Sequence, residues 1–290
     1  MPQPLKSPFL VPFDGSFRVK KAHNEPPKGA PDKAEAELRL AQCVDEIAHL
    51  QKKLYADNRH SVLLVFQAID AAGKDGTIRA VLTGTNPAAC QVQSFKSPSE
   101  EELDHDFLWR INRALPERGM IGVFNRSHYE EVLTVRVHPD FLERQRLPSV
   151  PPLGKLWKER HESIRDFEKH LARNGTVILK FWLNVSKKEQ KKRLLARIDD
   201  PSANWKFQPS DIDEREQWSK YMVAYEEILN ETSRPWAPWY AIPADDKPYM
   251  RWVVADIVAR TMKNMDIDYP KLNRDEVKKL KLTRARLEKS

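Results

Sequence analysis

Two hydrophobic periods alternate along the chain. Short apolar runs rich in β-branched and aromatic residues occur at Ser61–Phe66, Gly119–Phe124, Thr176–Leu183 and Trp239–Pro243, and a further strand is expected at Cys90-Gln-Val-Gln-Ser-Phe95. Each has the length of a strand. Between them, apolar positions fall at three- and four-residue steps, the spacing of helices with one inward face. Leu40, Val44, Ile47, Leu50 and Leu54 trace a long helix over 31–57. Ser99 with Glu102 fits a capping box for a helix through Leu103, Phe107, Trp109, Ile111 and Leu115, stopped by Pro116. Trp157, Ile164, Phe167 and Leu171 predict a helix ending near Asn174-Gly175, and Ser186 with Glu189 opens another. Residues 211–231 and 249–265 complete the helical set. Strands alternating with helices predict an α/β fold, with a parallel five-stranded sheet covered on both faces. Ligands of such sheets sit at the carboxyl ends of the strands.

The first strand leads into the most informative stretch, Ser61 to Arg79. After Phe66 come Ala71, Ala72, Gly73, Lys74, Asp75, Gly76 and Thr77, and then a helical pattern with Ile78, Val81 and Leu82 on one side. A strand, a tight small-residue turn, a lysine and a helix start form a phosphate cradle: backbone N–H groups, helix dipole and a full charge converge. The match to G-x-x-x-x-G-K-[ST] is imperfect, because Ala68 replaces the first glycine and Asp75 stands in place of the hydroxyl. Asp70 lies inside the turn. A carboxylate there repels phosphate unless a metal or a proton meets it. The plain alternative is a strand-to-helix turn with a solvated lysine.

The third strand delivers Asn125-Arg126-Ser127-His128-Tyr129-Glu130 to the same end of the sheet. Phosphoryl transfer needs alignment and charge neutralisation more than covalent chemistry. Lys74 fits a phosphate-contacting cation. Asp70 fits a magnesium ligand, or the group that holds and deprotonates an acceptor phosphate. Arg126 could bridge donor and acceptor phosphates, or merely pair with Glu130 or Asp70. Residues 131–153 are irregular, charged and proline-bearing, as lids often are. From that stretch Arg136 and His138 could close over the phosphates. Arg193 and Arg197 stand one helical turn apart and could supply a further clamp.

Bulk composition narrows the field. The chain has 290 residues, 40% hydrophobic and 31% charged, as a globular protein does. Two distant cysteines, Cys43 and Cys90, suggest neither a disulfide framework nor a metal cluster. The N-terminus lacks the apolar core of a signal peptide, and no apolar run is long enough to span a membrane. A reducing, cytoplasmic setting without membrane attachment is expected. Net charge is +7, of which the last twenty residues carry +5, with eight Lys/Arg against three Asp/Glu. Aromatics do not interleave that tail, so a solvated helix is expected there rather than a nucleic-acid surface. Residues 1–30 read as an extended arm, 31–270 as the catalytic domain with a lid at about 131–165, and 271–290 as the basic tail. No Cys/His spacing suggests zinc, and no Gly-x-Ser-x-Gly is present.

Several stretches together resemble the polyphosphate kinase 2 family. They are Phe66–Ile78, Ser94-Phe-Lys96, Phe124–Glu130, Val135–Pro139, Ser186–Gln190, Asn204–Phe207 and Ile242–Lys247. The resemblance covers about residues 30–265. It implies a P-loop fold similar to thymidylate kinase, with a helical lid, and reversible phosphate transfer between inorganic polyphosphate and nucleotides. It implies magnesium as cofactor, with manganese as the alternative, and a homo-oligomer, dimer or tetramer. By the same resemblance Asp70, Lys74, Asn125, Arg126 and Arg193 are catalytic, and Asp70 holds the metal, with Asn125 as a second candidate. Ala72, Gly73, Asp75, Gly76, Thr77, Glu130, Arg136 and His138 are implied phosphate or nucleotide contacts. Asn125, where many members carry aspartate, resembles the class III subgroup that takes AMP and ADP to ATP. One fewer negative charge beside the incoming phosphates suits more than one acceptor length. The competing expectation is an ATP-dependent nucleoside monophosphate kinase on the same core, which needs a second purine slot. A third is a non-catalytic polyanion binder acting through the tail.

Overall fold

The computed structural model describes residues 3–290. In chain order the elements are α1 (Lys33–Asp57), β1 (Ser61–Gln67), α2 (Lys74–Val81), β2 (Cys90–Ser94), α3 (Glu100–Leu103), α4 (Trp109–Arg113), β3 (Ile121–Asn125), α5 (Thr134–Val137), α6 (Phe141–Arg144), α7 (Leu153–Arg173), β4 (Thr176–Asn184), α8 (Lys187–Asp199), α9 (Ser210–Glu216), α10 (Trp218–Thr232), β5 (Trp239–Pro243), α11 (Lys247–Lys263) and α12 (Arg274–Leu287). The five strands pair in parallel in the order β2-β3-β1-β4-β5, as expected for an α/β sheet. β1 sits in the middle, and all seven of its residues are buried. Val62, Leu64 and Phe66 join one core, with α1, α2 and α11. Leu63 and Val65 join the other, with α4, α7 and α10. Two buried faces explain why this strand reads as a continuous apolar run.

The predicted helix over 100–115 is two short helices. The Ser99–Glu102 capping box forms, but Asp106 then accepts the Leu108 N–H at 2.9 Å and ends the run with a local turn. The helix read over 211–231 likewise divides at Gln217 into α9 and α10. The N-terminal arm is extended but not loose. It bridges the edge of β5 antiparallel at Leu10–Tyr240, the Val11 N–H donates to Trp239 O at 2.9 Å, and the Ala241 N–H donates to Phe9 O at 2.8 Å. Val11 is fully buried there. The arm therefore covers a sheet edge that would otherwise offer free backbone groups. The stretch 131–157 carries a small core of its own: Val135, Leu142, Leu156 and Trp157. At the other end of the chain, α12 buries none of its residues. No helix among the described residues is long and apolar enough to cross a membrane.

Helix α7 carries a neutral buried imidazole. His161 is 2% exposed, its Nε2 has no partner, and burial together with Arg136 and Arg165 pushes its pKa down to about 4. The unfolded chain takes up this proton near the ordinary histidine value, before the folded one does. Stability is therefore fully present above pH 6.5 and falls as pH drops toward 4, by up to about 3 kcal/mol. Urea midpoints across that window should show the loss, and His161→Gln should flatten it.

Candidate active site

After β1 the chain turns through residues 68–73 before α2 begins at Lys74. Two residues of the turn are left-handed, Ala71 (φ +61°) and Gly73 (φ +105°). Left-handed residues in such a turn bring successive N–H groups toward one point, an anion-receiving concavity. Gly73 has a second reason to lack a side chain: a Cβ there would lie 3.1 Å from Met250 Cε.

Arg193 holds this turn from behind. Its Nε donates to Glu189 at 2.9 Å. Nη1 donates to the carbonyls of Ala72 (2.9 Å) and Ala71 (3.4 Å), and Nη2 to those of Ala244 (2.7 Å) and Asp245 (2.9 Å). All five of its N–H donors are spent on the protein. The sequence offered Arg193 as a phosphate clamp; the structure places it as a bolt between the turn and the β5–α11 connection. Its neighbour one turn along, Arg197, points to the open side instead and pairs with Asp211 at 3.5 Å.

Lys74 is also turned inward. Its Nζ donates to Ala68 O at 2.8 Å and Ile69 O at 3.4 Å. Burial and then the Arg126 charge push its pKa below the usual lysine value. Thr77 is fully buried, with its hydroxyl donating to Gly73 O at 3.0 Å, so it faces its own helix rather than the concavity. Asp75 is exposed and accepts the Asn125 Nδ2–H at 2.7 Å. That contact joins α2 to the end of β3.

The register places β3 where it can reach the turn: Phe66 lies beside Asn125, and the Arg126 N–H donates to Phe66 O at 3.0 Å. Arg126 is itself left-handed, at φ +63°. Its Nη2 donates to Asp70 Oδ1 at 2.8 Å, and its Nη1 lies 4.0 Å from Glu130 Oε2. Burial alone would raise the Asp70 pKa. The charges of Lys74 and Arg126 outweigh it and hold Asp70 below the usual carboxylate range. Asp70 is therefore an anion at neutral pH, able to accept but not to donate.

Beneath Arg126 lies a buried network. Lys180 Nζ, from the middle of β4, donates to Glu168 Oε2 (2.6 Å), Tyr129 OH (2.7 Å) and Thr232 O (2.8 Å), and Tyr129 OH donates to Glu168 Oε1 (2.7 Å). It fixes the backbone just after Arg126.

A cavity of about 270 Å³ opens over this constellation, lined by Asp70, Arg126, Glu130, Gln190, Asp211 and Arg215. Asp211 has its pKa raised, first by burial and then by the Asp70 charge. A smaller hollow of about 100 Å³ adjoins on the β2–β3 side. It is lined by Phe95, Lys96 and Arg110 and shares Arg126 and Glu130. Arg136 and His138 do not enter either constellation. Arg136 is paired with Glu227 of α10, and His138 lies 3.1 Å from Glu214 of α9. A larger cavity of about 380 Å³ lies at the opposite, amino end of β4, beside His60 and Gly175, remote from these groups.

Sequence reasoning missed Gln190, Asp211, Arg215 and Lys96. Gln190 and Lys96 sit inside the resembling stretches, but nothing local shows which way they face. A model of polyphosphate kinase 2 (PPK2) matches residues 30–270. The chain belongs to the polyphosphate kinase 2 family. Among PPK2 relatives it is 56% identical over 245 residues to an ADP-polyphosphate phosphotransferase of Rhodopseudomonas palustris, covering 84% of this chain and 85% of that one. It is 42% identical over 263 residues to an AMP/ADP-polyphosphate phosphotransferase of Meiothermus ruber, covering 90% and 94%. The crystal structure of polyphosphate kinase 2 from Arthrobacter aurescens superposes with a TM-score of 0.85 at 38% identity, covering 95% of this chain and 94% of that one. The loop-and-arginine constellation thus sits on a PPK2 fold along nearly its whole length.

The Asn125–Asp75 contact gives a direct test. Asn125→Asp would set two carboxylates against each other at a 2.7 Å contact. Initial transfer rates should fall about tenfold, the cost of one unfavourable charge contact near the phosphates. Asp75→Asn added to Asn125→Asp should restore most of the loss.

Proposed function

We propose that this protein transfers the terminal phosphoryl group of inorganic polyphosphate to AMP and ADP, giving ADP and ATP, and does so reversibly. The observation that carries the reading is the Asp70–Arg126 pair where the carboxyl ends of β1 and β3 meet, on a fold that belongs to PPK2. The relatives' names support both acceptors: the Meiothermus ruber protein is named for AMP and ADP, the Rhodopseudomonas palustris protein for ADP.

In the reaction an oxygen of the acceptor's terminal phosphate attacks the end phosphorus of the polyphosphate. The bond to its bridging oxygen breaks, and the shortened chain leaves with that oxygen. Arg126 lies between the two cavities and can contact donor and acceptor together. Lys74 is held at the turn by two neutral carbonyls, Ala68 O at 2.8 Å and Ile69 O at 3.4 Å, and an incoming phosphate, which carries full charge, would compete with them for its ammonium. Asp70, held ionised, orients Arg126 by accepting its N–H and has no proton to give. Arg193 acts as a positioning residue, keeping the turn's carbonyls in place. Phe95, stacked edge-on to Phe124 at 4.9 Å and capped by Arg110 at 5.6 Å, gives the β2–β3 hollow an apolar wall suited to a nucleobase. We read residues 131–165, with their separate small core, as the lid that excludes water.

The donor set fits a hard divalent cation such as magnesium or manganese. Asp70 and Asp211 face one cavity closely enough for the Asp70 charge to raise the Asp211 pKa, and both are hard carboxylate oxygen donors. Magnesium is commonly held by one or two carboxylates together with substrate phosphates. Asp70 and Asp211 would hold it, and when bound it would neutralise charge on the transferring group. Asn125, the second candidate ligand, donates its amide to Asp75 and does not line the cavity that Asp70 and Asp211 share. The exposed apolar residues of α12, Leu280, Leu282 and Leu287, support self-association. Unpaired Cys43 and Cys90 suit a reducing, cytoplasmic compartment.

Two measurements test the reading. Incubation with AMP, magnesium and polyphosphate, without ATP, should yield ADP and then ATP. A product that forms only when ATP is supplied would favour a nucleoside monophosphate kinase instead. Asp70→Asn should lower kcat by at least about a hundredfold while leaving the circular dichroism and urea midpoint close to those of the unmodified protein. Transfer at the full rate in folded Asp70→Asn would remove Asp70 from the mechanism.

A further inference from the structure

The amino end of the sheet holds a cavity that none of the roles above uses. It measures about 380 Å³, more than either hollow beside Arg126, and falls in the size range of small-molecule sites. Its walls are mostly apolar: Leu179 of β4, Met265 after α11, Pro235 and Pro238 before β5, and Leu5 of the N-terminal arm. Leu5 is fixed there by the Tyr240 hydroxyl, which donates to its carbonyl at 3.1 Å. The polar groups of the lining are unspent. Pairing of β4 with β5 begins at Lys180↔Trp239, where the Lys180 N–H donates to Pro238 O at 3.0 Å. Ile178, two residues earlier, turns its N–H and C=O to the same side. In this register the donor opposite its carbonyl would be Pro238, which has no N–H. Among the described residues its N–H makes no bond to Trp236 O. Two side chains of the lining are unpartnered as well. Thr261 is 5% exposed, and both its Oγ1 and the Trp236 Nε1 are buried without a hydrogen bond. Buried polar groups left so are costly, and an occupant that bonds them removes the cost.

The surroundings say which chemistry fits. Helices α7 and α11 end beside this cavity, at Arg173 and Lys263, and the carboxyl end of a helix carries partial negative charge. Arg173 and Asp266, the charged residues of the lining, are both exposed and offset each other. An anion is therefore disfavoured here, in contrast with the carboxyl end of the same sheet, where a helix begins and cations gather. An N–H and a C=O side by side on a strand match a ring that bears an acceptor and a donor along one edge. The indole N–H asks for a further acceptor, and the apolar walls ask for a flat, uncharged face.

We propose that this cavity is a second binding site, for an uncharged planar heterocycle of the nucleobase type, held by the backbone of Ile178 and by Thr261 and Trp236. It is separate from the site of transfer. The seven residues of β1 run from beside His60, on the lining, to the phosphate turn, about 20 Å at the rise of a strand. A base held here is not that of the reacting acceptor. Nor is it the donor's base in an ATP-dependent kinase, since the cavity lies at the wrong end of the sheet. The site stands whichever phosphate donor the protein uses.

The test is calorimetric titration of the full chain with adenine, hypoxanthine and uracil, in the presence of enough ADP to fill the active site. At least one base should bind one-to-one, with a Kd below about 1 mM. Thr261→Val and Trp236→Phe each delete one hydrogen-bonding group at nearly constant shape; the second keeps an aromatic ring under Lys169, which lies 5.2 Å from the indole. Each should weaken the binding about tenfold and leave the circular dichroism spectrum and the KM for ADP unchanged. Inorganic phosphate should not displace the base. Binding by none of the three, as for a cavity that holds water only, would overturn the site. So would heat that vanishes when ADP is added, unchanged affinity in both variants, or displacement by phosphate. A protein that binds the base but transfers no phosphate would overturn the functional reading alone.

Discussion

The ion pair between Asp70 and Arg126 is the contact on which the site depends. It joins the turn after β1 to the turn after β3, at the one place where the two central strands end side by side. Both side chains are about one-third or more exposed, at 31% and 40%, so its contribution to stability is small, of order 1 kcal/mol or less. Its importance is positional. Arg126 must adopt a left-handed backbone, which costs about 1–2 kcal/mol for an L-residue. Three constraints hold it there: the hydrogen bond to Phe66 O, the carboxylate of Asp70, and the Lys180–Glu168–Tyr129 network beneath the next residues. A cation so over-determined does not wander when substrates exchange.

The same packing decides how much of the molecule could be read beforehand. The inner strands were legible because parallel strands buried on both faces read as apolar runs, and β1 is buried at every residue; the edge strand β2, CQVQS and largely exposed, carried a weaker signal. The capping box at Ser99 was legible because it is local. The break at Asp106 was not. There a side chain three residues past Leu103 outbids the helix by bonding the Leu108 N–H, and periodicity carries no trace of that competition.

Within the site, residue type was legible and direction was not. Arg193 and Arg197 share one face of α8, so spacing treats them alike. The second turn of α8 lies behind the phosphate turn, where backbone carbonyls take four of the Arg193 donors and Glu189 the fifth. The next turn clears it, and Arg197 reaches Asp211. Arg136 and His138 are held by Glu227 and Glu214, partners some ninety and seventy-six residues away in sequence. No local pattern encodes such pairings. Asp70, Lys74 and Arg126 were legible because two strand ends and a tight turn leave them few directions to take.

Without substrate, the site is neutralised from within. Lys74 is satisfied by loop carbonyls, Arg126 by Asp70, and Asp75 by Asn125. A phosphate that claims Arg126 or Lys74 takes from Asp70 the two charges that keep it ionised against burial. The freed carboxylate would then face the phosphate and Asp211 together, three negative groups around one cavity. On the proposed reading a divalent cation would remove that repulsion and would gain oxygen ligands from the phosphate it arrives with. Anion and cation would then each raise the other's affinity, by the same factor in both directions. Carboxylates inside a phosphate-binding turn would weaken a site built for phosphate alone, and in the proposed mechanism they favour phosphate that arrives with a metal.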